Sequence, residues 1–485
     1  MVPEPVRREL RAIVGPAYVH DGPAELIAYS YDGTFQQQRP DVAVSPRTTE
    51  EVAQILALAH AHAIPVVPRG AASGLAGGVI PLAGGIVLNL ARMNRILDLS
   101  PEDGVAVVEA GVITAQLQAA AEARGLFYPP DPASLNQSSL GGNVATNAGG
   151  PRCLKYGATR DYVRGLTVVL ADGRVLRPGG RVLKQSTGYQ LTQLFVGSEG
   201  TLGVVTEIIL RLLPLPRERA TARLAFASLD AAAETVTTLL TAGLLPTAIE
   251  LLDRTTISLV ADYLPDRPPP PTDALLIVEC DGTERAAVAA EIGRVAELAR
   301  HSGALEVRVA TAPAERAALW EARRAISPAL GRLRPNKLGE DIVVPRSQIP
   351  AMVRRITAIS AEVGLPIPVF GHAGDGNLHP NILFDRRVPG ELERVERAAG
   401  AIFEAAIALG GTLSGEHGIG SLKREFMAAR LAPEELWAMR ALKQALDPKG
   451  ILNPGKLFPT RPDDRTGWLA ALPTLDGVVP CSTPA

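Results

Sequence analysis

Residues 67–78 read VPRGAASGLAGG, four glycines and three alanines in a run that leaves the backbone bare. Upstream, DVAVSP, EEVAQILALAHAHA and IPVVPRG alternate short apolar runs with a helical period, which predicts a strand, a helix and a second strand feeding into this loop. That is the opening of an α/β or α+β unit. His60 and His62, on or just after the helix, read as surface or packing residues. A loop of glycine and small side chains exposes successive backbone N–H groups and makes a cradle for phosphate oxygens. It is neither GxGxxG nor GxxxxGK[ST], and taken alone a plain flexible loop explains it equally well. Residues 140–150, LGGNVATNAGG, repeat the composition and add Asn143, Thr146 and Asn147 as hydrogen-bonding groups. One long polar ligand that carries phosphate explains both.

Further along, LTVVLADGRVL reads as a hairpin with Asp172-Gly173 at its turn. FVGSEGTLG and the strand VVTEIILRLLP follow, and Pro214 and Pro216 close this half. Residues 218–310 then spell strand, helix, strand twice over, with helices over 230–240 and 283–301. That order predicts a ferredoxin-like antiparallel sheet with helices on one side. The proline run 268–271 reads as a stiff spacer between its halves. Helices are expected over 4–13, 350–363, 391–410 and 431–446.

The densest chemistry lies in 370–381, FGHAGDGNLHPN, which holds His372 and His379 among three glycines and is read as a turn able to wrap a small object. Two imidazoles do not complete a metal site, since an enzymatic zinc takes three protein ligands and keeps an open position. Glu416-His417, in the second glycine-bracketed turn GTLSGEHGIG, is the best supplier of the third. Neither HExxH nor CxxC occurs.

The 485 residues suffice for two or three domains, and a net charge of −2 gives no electrostatic reason to expect nucleic acid or an anionic membrane as partner. No apolar run long enough to span a bilayer is present, and the charged N-terminus is no signal peptide, which leads to an expectation of a cytoplasmic protein. Cys153, Cys280 and Cys481 are too few and too far apart to ligate an iron–sulfur cluster.

PRGAASGLAGG, PPDPASLNQSSLGGNVATNAGG and VGSEGTLGVVTE together resemble the PCMH-type FAD-binding domain of the vanillyl-alcohol-oxidase superfamily. FGHAGDGNLHPN, SGEHGIG and DPKGILNPGKLF resemble more narrowly its branch of glycolate oxidase flavin subunits, D-lactate dehydrogenases and D-2-hydroxyglutarate dehydrogenases. The resemblance implies an α+β chain: an N-terminal helix and arm (1–38), a two-subdomain FAD-binding domain (39–216), a ferredoxin-like substrate or cap domain whose C-terminal helical segment returns to the flavin (217–459), and a loose tail (460–485). It implies FAD held by Arg69, Gly70, Ala71, Ser73, Gly74, Asp131, Ser138, Gly142, Asn143, Thr146 and Val205, with Arg323, Lys337 and Asn381 binding substrate. Some superfamily members tether FAD through a histidine in the first glycine-rich loop; Gly-Ala-Ala-Ser-Gly stands there in this chain, so FAD is expected without a covalent link.

The expected reaction is oxidation of a D-2-hydroxy acid, glycolate or D-lactate, to the 2-oxo acid by hydride transfer to flavin. A dication, zinc or manganese, is expected on His372, His379 and Glu416, with His417 as the base; the exchange of roles between Glu416 and His417 stays open. Electrons would pass to an iron–sulfur partner subunit, a quinone, a cytochrome or an electron-transfer flavoprotein, with the protein peripheral to the inner membrane through such a partner. A homodimer is compatible with the sequence. Competing readings are a D-2-hydroxyglutarate dehydrogenase, another flavoenzyme of the superfamily such as an alkyl-ether lipid synthase, and a flavin-free metal-binding protein or hydrolase.

Overall fold

The computed structural model describes residues 1–460 and 467–469. The expected loose tail therefore falls largely outside the described residues, although Trp468 and Leu469 are buried, with Trp468 edge-on to Phe426. Two sheets build the N-terminal half. In the first, Val42–Val44, Ile86–Asn89 and Val66–Arg69 run parallel, and Val19–His20 adds an antiparallel edge. The crossover helix Thr49–Ala61 is capped by the Thr48 hydroxyl and buries Val52, Ile55, Leu56 and Ala59, the 3–4 spacing of an amphipathic face. Helix Glu4–Val14 sets Val6, Leu10 and Val14 into the same core. The second sheet is antiparallel: Ile96–Ser100, Val105–Glu109, Val204–Arg211, Val163–Val169 and Val175–Leu176. Its last two strands form the expected hairpin, and Gly173 takes a φ of +88° at the turn.

The 218–310 region folds as its pattern predicts. Its four strands lie in the order Glu306–Ala310, Glu218–Phe226, Ala274–Gly282, Ala248–Asp253, all antiparallel, with helices Leu229–Thr241 and Arg285–His301 on one face. Two features go beyond that expectation. The sheet continues through Val369–His372, Asn377–Phe384 and Asn336–Gly339, so that with Ile342–Val343 it has eight strands. The opposite face is also apolar, at Ala225, Leu252, Leu275, Ile277 and Leu383, and is covered by helix Pro313–Leu330.

The 370–381 stretch is thus a β-hairpin rather than an open turn. Gly371 serves close strand approach, since a Cβ there would lie 2.4 Å from the Asn377 carbonyl oxygen; only Gly376, at φ +88°, serves the turn. The last segment of the chain returns to the first sheet. Val66 N–H donates to the Ile451 carbonyl at 2.8 Å and Asn453 N–H to the Val66 carbonyl at 2.8 Å, while the Asn453 amide donates to the carbonyls of Gly78 and Glu199.

Candidate active site

Strand register decides which side chains meet. Glu250 lies opposite His372, His372 opposite Asn377, and Phe370 opposite His379, so the period-2 alternation puts Glu250, His372, His379 and Asn381 on the face that helix Pro313–Leu330 only partly covers. The 411–420 turn brings Glu416 over them. Glu416 Oε1 is 3.6 Å from His372 Nε2 and 3.5 Å from His379 Nε2, too long for hydrogen bonds. Ligand atoms about 2.1 Å from a tetrahedral zinc stand about 3.4 Å apart, so these separations are those of a metal's ligand shell. The three ligand atoms lie within 4.8 Å of one another, and Glu416 Oε2 and His379 Nδ1 are buried without hydrogen-bond partners among the described residues. The donor set and the orphaned Glu416 oxygen fit a divalent cation.

His372 Nδ1 stands 2.5 Å from Glu250 Oε1, and the other Glu250 oxygen accepts from Arg323 Nε at 2.5 Å. Burial alone would raise the Glu250 carboxyl, but His372 and Arg323 bring it down to about 2. Burial works against charge on His372 too, yet Glu250 and then Glu416 hold it well above the ordinary imidazole range. His379 goes the other way, down to about 3, through burial first and the His372 charge next. His417 stacks on His379 at 5.5 Å, and burial lowers it. Burial thus favours its neutral form.

Arg323, Lys337 and Asn381 line a cavity of about 810 Å³ with the histidines. The Arg323 guanidinium lies 4.7 Å over the Phe370 ring, and its two terminal nitrogens have no protein partner among the described residues. Lys337 donates to the Ser327 hydroxyl at 2.6 Å, and Asn381 spends its amide N–H on the His379 carbonyl at 2.9 Å. Sequence reasoning passed over Glu250 and Asp341. The sign for Glu250 was an acid at an inward position of the apolar strand AIELLD, where an unpaired charge is not tolerated.

A second cavity, of about 220 Å³, is lined by both glycine-rich loops. It takes in Arg69, Gly70, Ala71, Ser73, Gly74, Ser138, Gly142, Asn143, Thr146 and Val205, and it shares Glu416 and His417 with the larger one. Asp131 lines only the larger, paired with Arg152 at 3.2 Å. Several side chains are already engaged: Arg69 donates to the carbonyls of Tyr31 and Ala28, and Asn143 and Ser138 both bond the Thr114 hydroxyl.

Residues 40–179 match the family described as FAD binding domain, and residues 215–457 that described as FAD linked oxidases, C-terminal domain. The glycolate oxidase subunit GlcD of Bacillus subtilis is 45% identical over 94% of this chain and 97% of its own length. The chain belongs to the FAD-linked oxidases. Within this family the GlcD subunit of Escherichia coli K12 is 40% identical over 90% of this chain and 87% of its own, and a D-lactate dehydrogenase of Anaerostipes hadrus 37% over 87% and 90%. Among solved structures, p-cresol methylhydroxylase superposes with a TM-score of 0.80 over 95% of this chain and 97% of its own at 19% identity, a likeness of fold.

The cradle fits the cofactor of FAD-linked oxidases. A Cβ at Gly74 would meet nothing within 4 Å, and one at Gly142 only the Ser139 hydroxyl at 3.2 Å, so both glycines leave open space beside exposed backbone rather than serving internal packing. Gly141 differs, since its Cβ would strike Ala110 at 2.7 Å. Among the described residues, no helix is long and apolar enough to cross a membrane.

Proposed function

We propose that this FAD-linked oxidase converts a D-2-hydroxy acid, glycolate or D-lactate, into the 2-oxo acid, with FAD bound without a covalent link. The observation that carries the reading is the convergence of the His372–His379–Glu416 set, the free end of Arg323 and His417 on the larger cavity, which shares Glu416 and His417 with the cavity between the glycine-rich loops. The Arg323 fork takes the substrate carboxylate, with Phe370 stacked beneath it. His372, His379 and Glu416 would hold a zinc or manganese ion, which supplies Lewis acidity for the hydroxyl. His417 Nδ1 is enclosed, so the hydroxyl proton goes to Nε2. Bound FAD supplies the hydride acceptor. Since relatives carry the name of a subunit, a partner subunit is the electron acceptor this reading favours.

Anaerobic mixing with each acid tests it. The flavin absorbance should bleach with D-lactate or glycolate, and a chelator should stop the bleaching while the colour stays on the protein; zinc or manganese should restore it. Full-rate bleaching by metal-free enzyme would overturn the metal assignment. Yellow colour left in the pellet after acid precipitation would overturn the non-covalent one. His417→Ala should keep metal and slow flavin reduction by about 10²–10⁴-fold.

A further inference from the structure

Asp341 lies between strands Asn336–Gly339 and Ile342–Val343 and is fully buried. Its Oδ2 accepts the Ser414 hydroxyl at 2.6 Å and the backbone N–H groups of Gly415, Glu416 and His417 at 3.0, 2.9 and 2.8 Å. Its Oδ1 accepts the Asn377 amide at 2.7 Å and stands 3.8 Å from His379 Nδ1, a buried nitrogen with no hydrogen-bond partner among the described residues. Lys423 approaches Oδ2 at 4.0 Å from behind. Every one of these neighbours is a donor or a cation, apart from His379, whose Nδ1 carries the proton and donates when its Nε2 lone pair is given to a cation.

We propose that Asp341 is the positioning residue of the site: one oxygen fixes the turn that presents Glu416 and His417, and the other orients His379 as Glu250 orients His372. The inference rests on the metal reading above for its effect on ligation, but not for its effect on the turn. Three consecutive N–H groups converging on one carboxylate oxygen form a nest, which fixes the backbone from which both side chains spring. On the opposite side, moving His379 Nδ1 by about 1 Å closes the gap to a hydrogen bond, and that bond selects the tautomer whose Nε2 lone pair is free for the cation that His372, His379 and Glu416 would hold. Only a carboxylate serves both sides. An asparagine turned either way sets its NH₂ group against donors, toward the 414–417 turn or toward Asn377 and His379.

The test compares wild type, Asp341→Asn and Ser414→Ala, each flavin-loaded and stripped of metal. Amide hydrogen exchange at 415–417 is followed first, then Co²⁺ affinity and its ligand-field spectrum. Asp341→Asn should speed exchange at those three amides, weaken Co²⁺ by about 10–100-fold and shift the spectrum, while flavin content is kept. Co²⁺ affinity, spectrum and exchange all unchanged would overturn the proposal. If Asp341→Asn does not fold, Ser414→Ala decides: it keeps the carboxylate and removes one donor, so faster exchange at 415–417 supports the proposal and unchanged exchange overturns it. Should wild type itself bind no Co²⁺, the metal reading fails, and exchange in Asp341→Asn still decides the role of Asp341 in holding the turn.

Discussion

Glu340 shows what burial does to a carboxylate without the donors that surround its neighbour Asp341. It is 2% exposed, and the nearest cation, Lys423, is 3.8 Å away. Burial first, with Asp341 adding and Lys423 opposing, pushes it up to about 7 from an ordinary 4.5. Its folded pKa is therefore above its unfolded one, and between about pH 4.5 and 7 the folded state holds a proton that the unfolded state has lost. Stability from this group is complete below that window and falls by up to about 1.4 kcal/mol per pH unit as pH rises through it. Glu340→Gln should thus be more stable than wild type at pH 8 by urea denaturation, with the difference shrinking toward pH 5; a difference independent of pH would sink the assignment. Residues of this kind were not legible beforehand. His372, His379, Glu416 and His417 stood out because reactive side chains between glycines are unusual, whereas Glu250, within the apolar strand AIELLD, and Asp341, next to Glu340, belong to no motif, and their partners appear only with strand register and the folded 414–417 turn.

For the elements, the sequence's periodicity went far. Helices Thr49–Ala61, Leu229–Thr241 and Arg285–His301 and the four strands between 218 and 310 appear where their 3.6- and 2-residue patterns put them. The 370–381 hairpin was misread as a turn, because three glycines in a row of polar residues suggest freedom, while here Gly371 answers the close approach of a neighbouring strand. The true turn glycine is Gly376, whose added Cβ would sit 2.1 Å from the Val344 carbonyl oxygen at a φ of +88°. Gly376→Ala should cost about 2–4 kcal/mol in thermal or chemical unfolding, from left-handed strain plus the clash. Gly390→Ala, also at positive φ but with nothing within 4 Å of its added Cβ, should cost only about 1 kcal/mol. Equal losses in the two variants would show that contact with Val344 contributes nothing.

Across the whole molecule, the C-terminal segment joins what chain order separates. Glu199 of the N-terminal half accepts the Ile419 and Gly420 N–H groups at 2.7 Å each, and the Asn453 amide donates to Gly78 and Glu199 carbonyls. Both ends of the segment that carries Glu416 and His417 to the junction of the two cavities are fastened to the glycine-rich half. Such long-range closure leaves no periodic trace, so the meeting of the two glycine-bracketed turns was expected from their chemistry, whereas the bonds that fasten the segment, from Glu199 and Asn453, were not. Asn453→Ala removes two bonds to backbone carbonyls and should lower stability by about 2 kcal/mol. Flavin release and loss of far-UV circular dichroism should shift together to lower temperature; release moving alone would mean that the segment does not couple the halves.

The chain Arg323–Glu250–His372 has a thermodynamic corollary. One buried carboxylate answers to a cation at the substrate end and an imidazole at the ligand end, so whatever draws Arg323 away from Glu250 changes the basicity that His372 offers. Binding at the two ends is then cooperative, and cooperativity is reciprocal: the factor by which a carboxylate guest alters metal affinity must equal the factor by which metal alters affinity for the guest. In Glu250→Gln that factor should fall toward one, leaving two neighbouring sites that no longer sense each other.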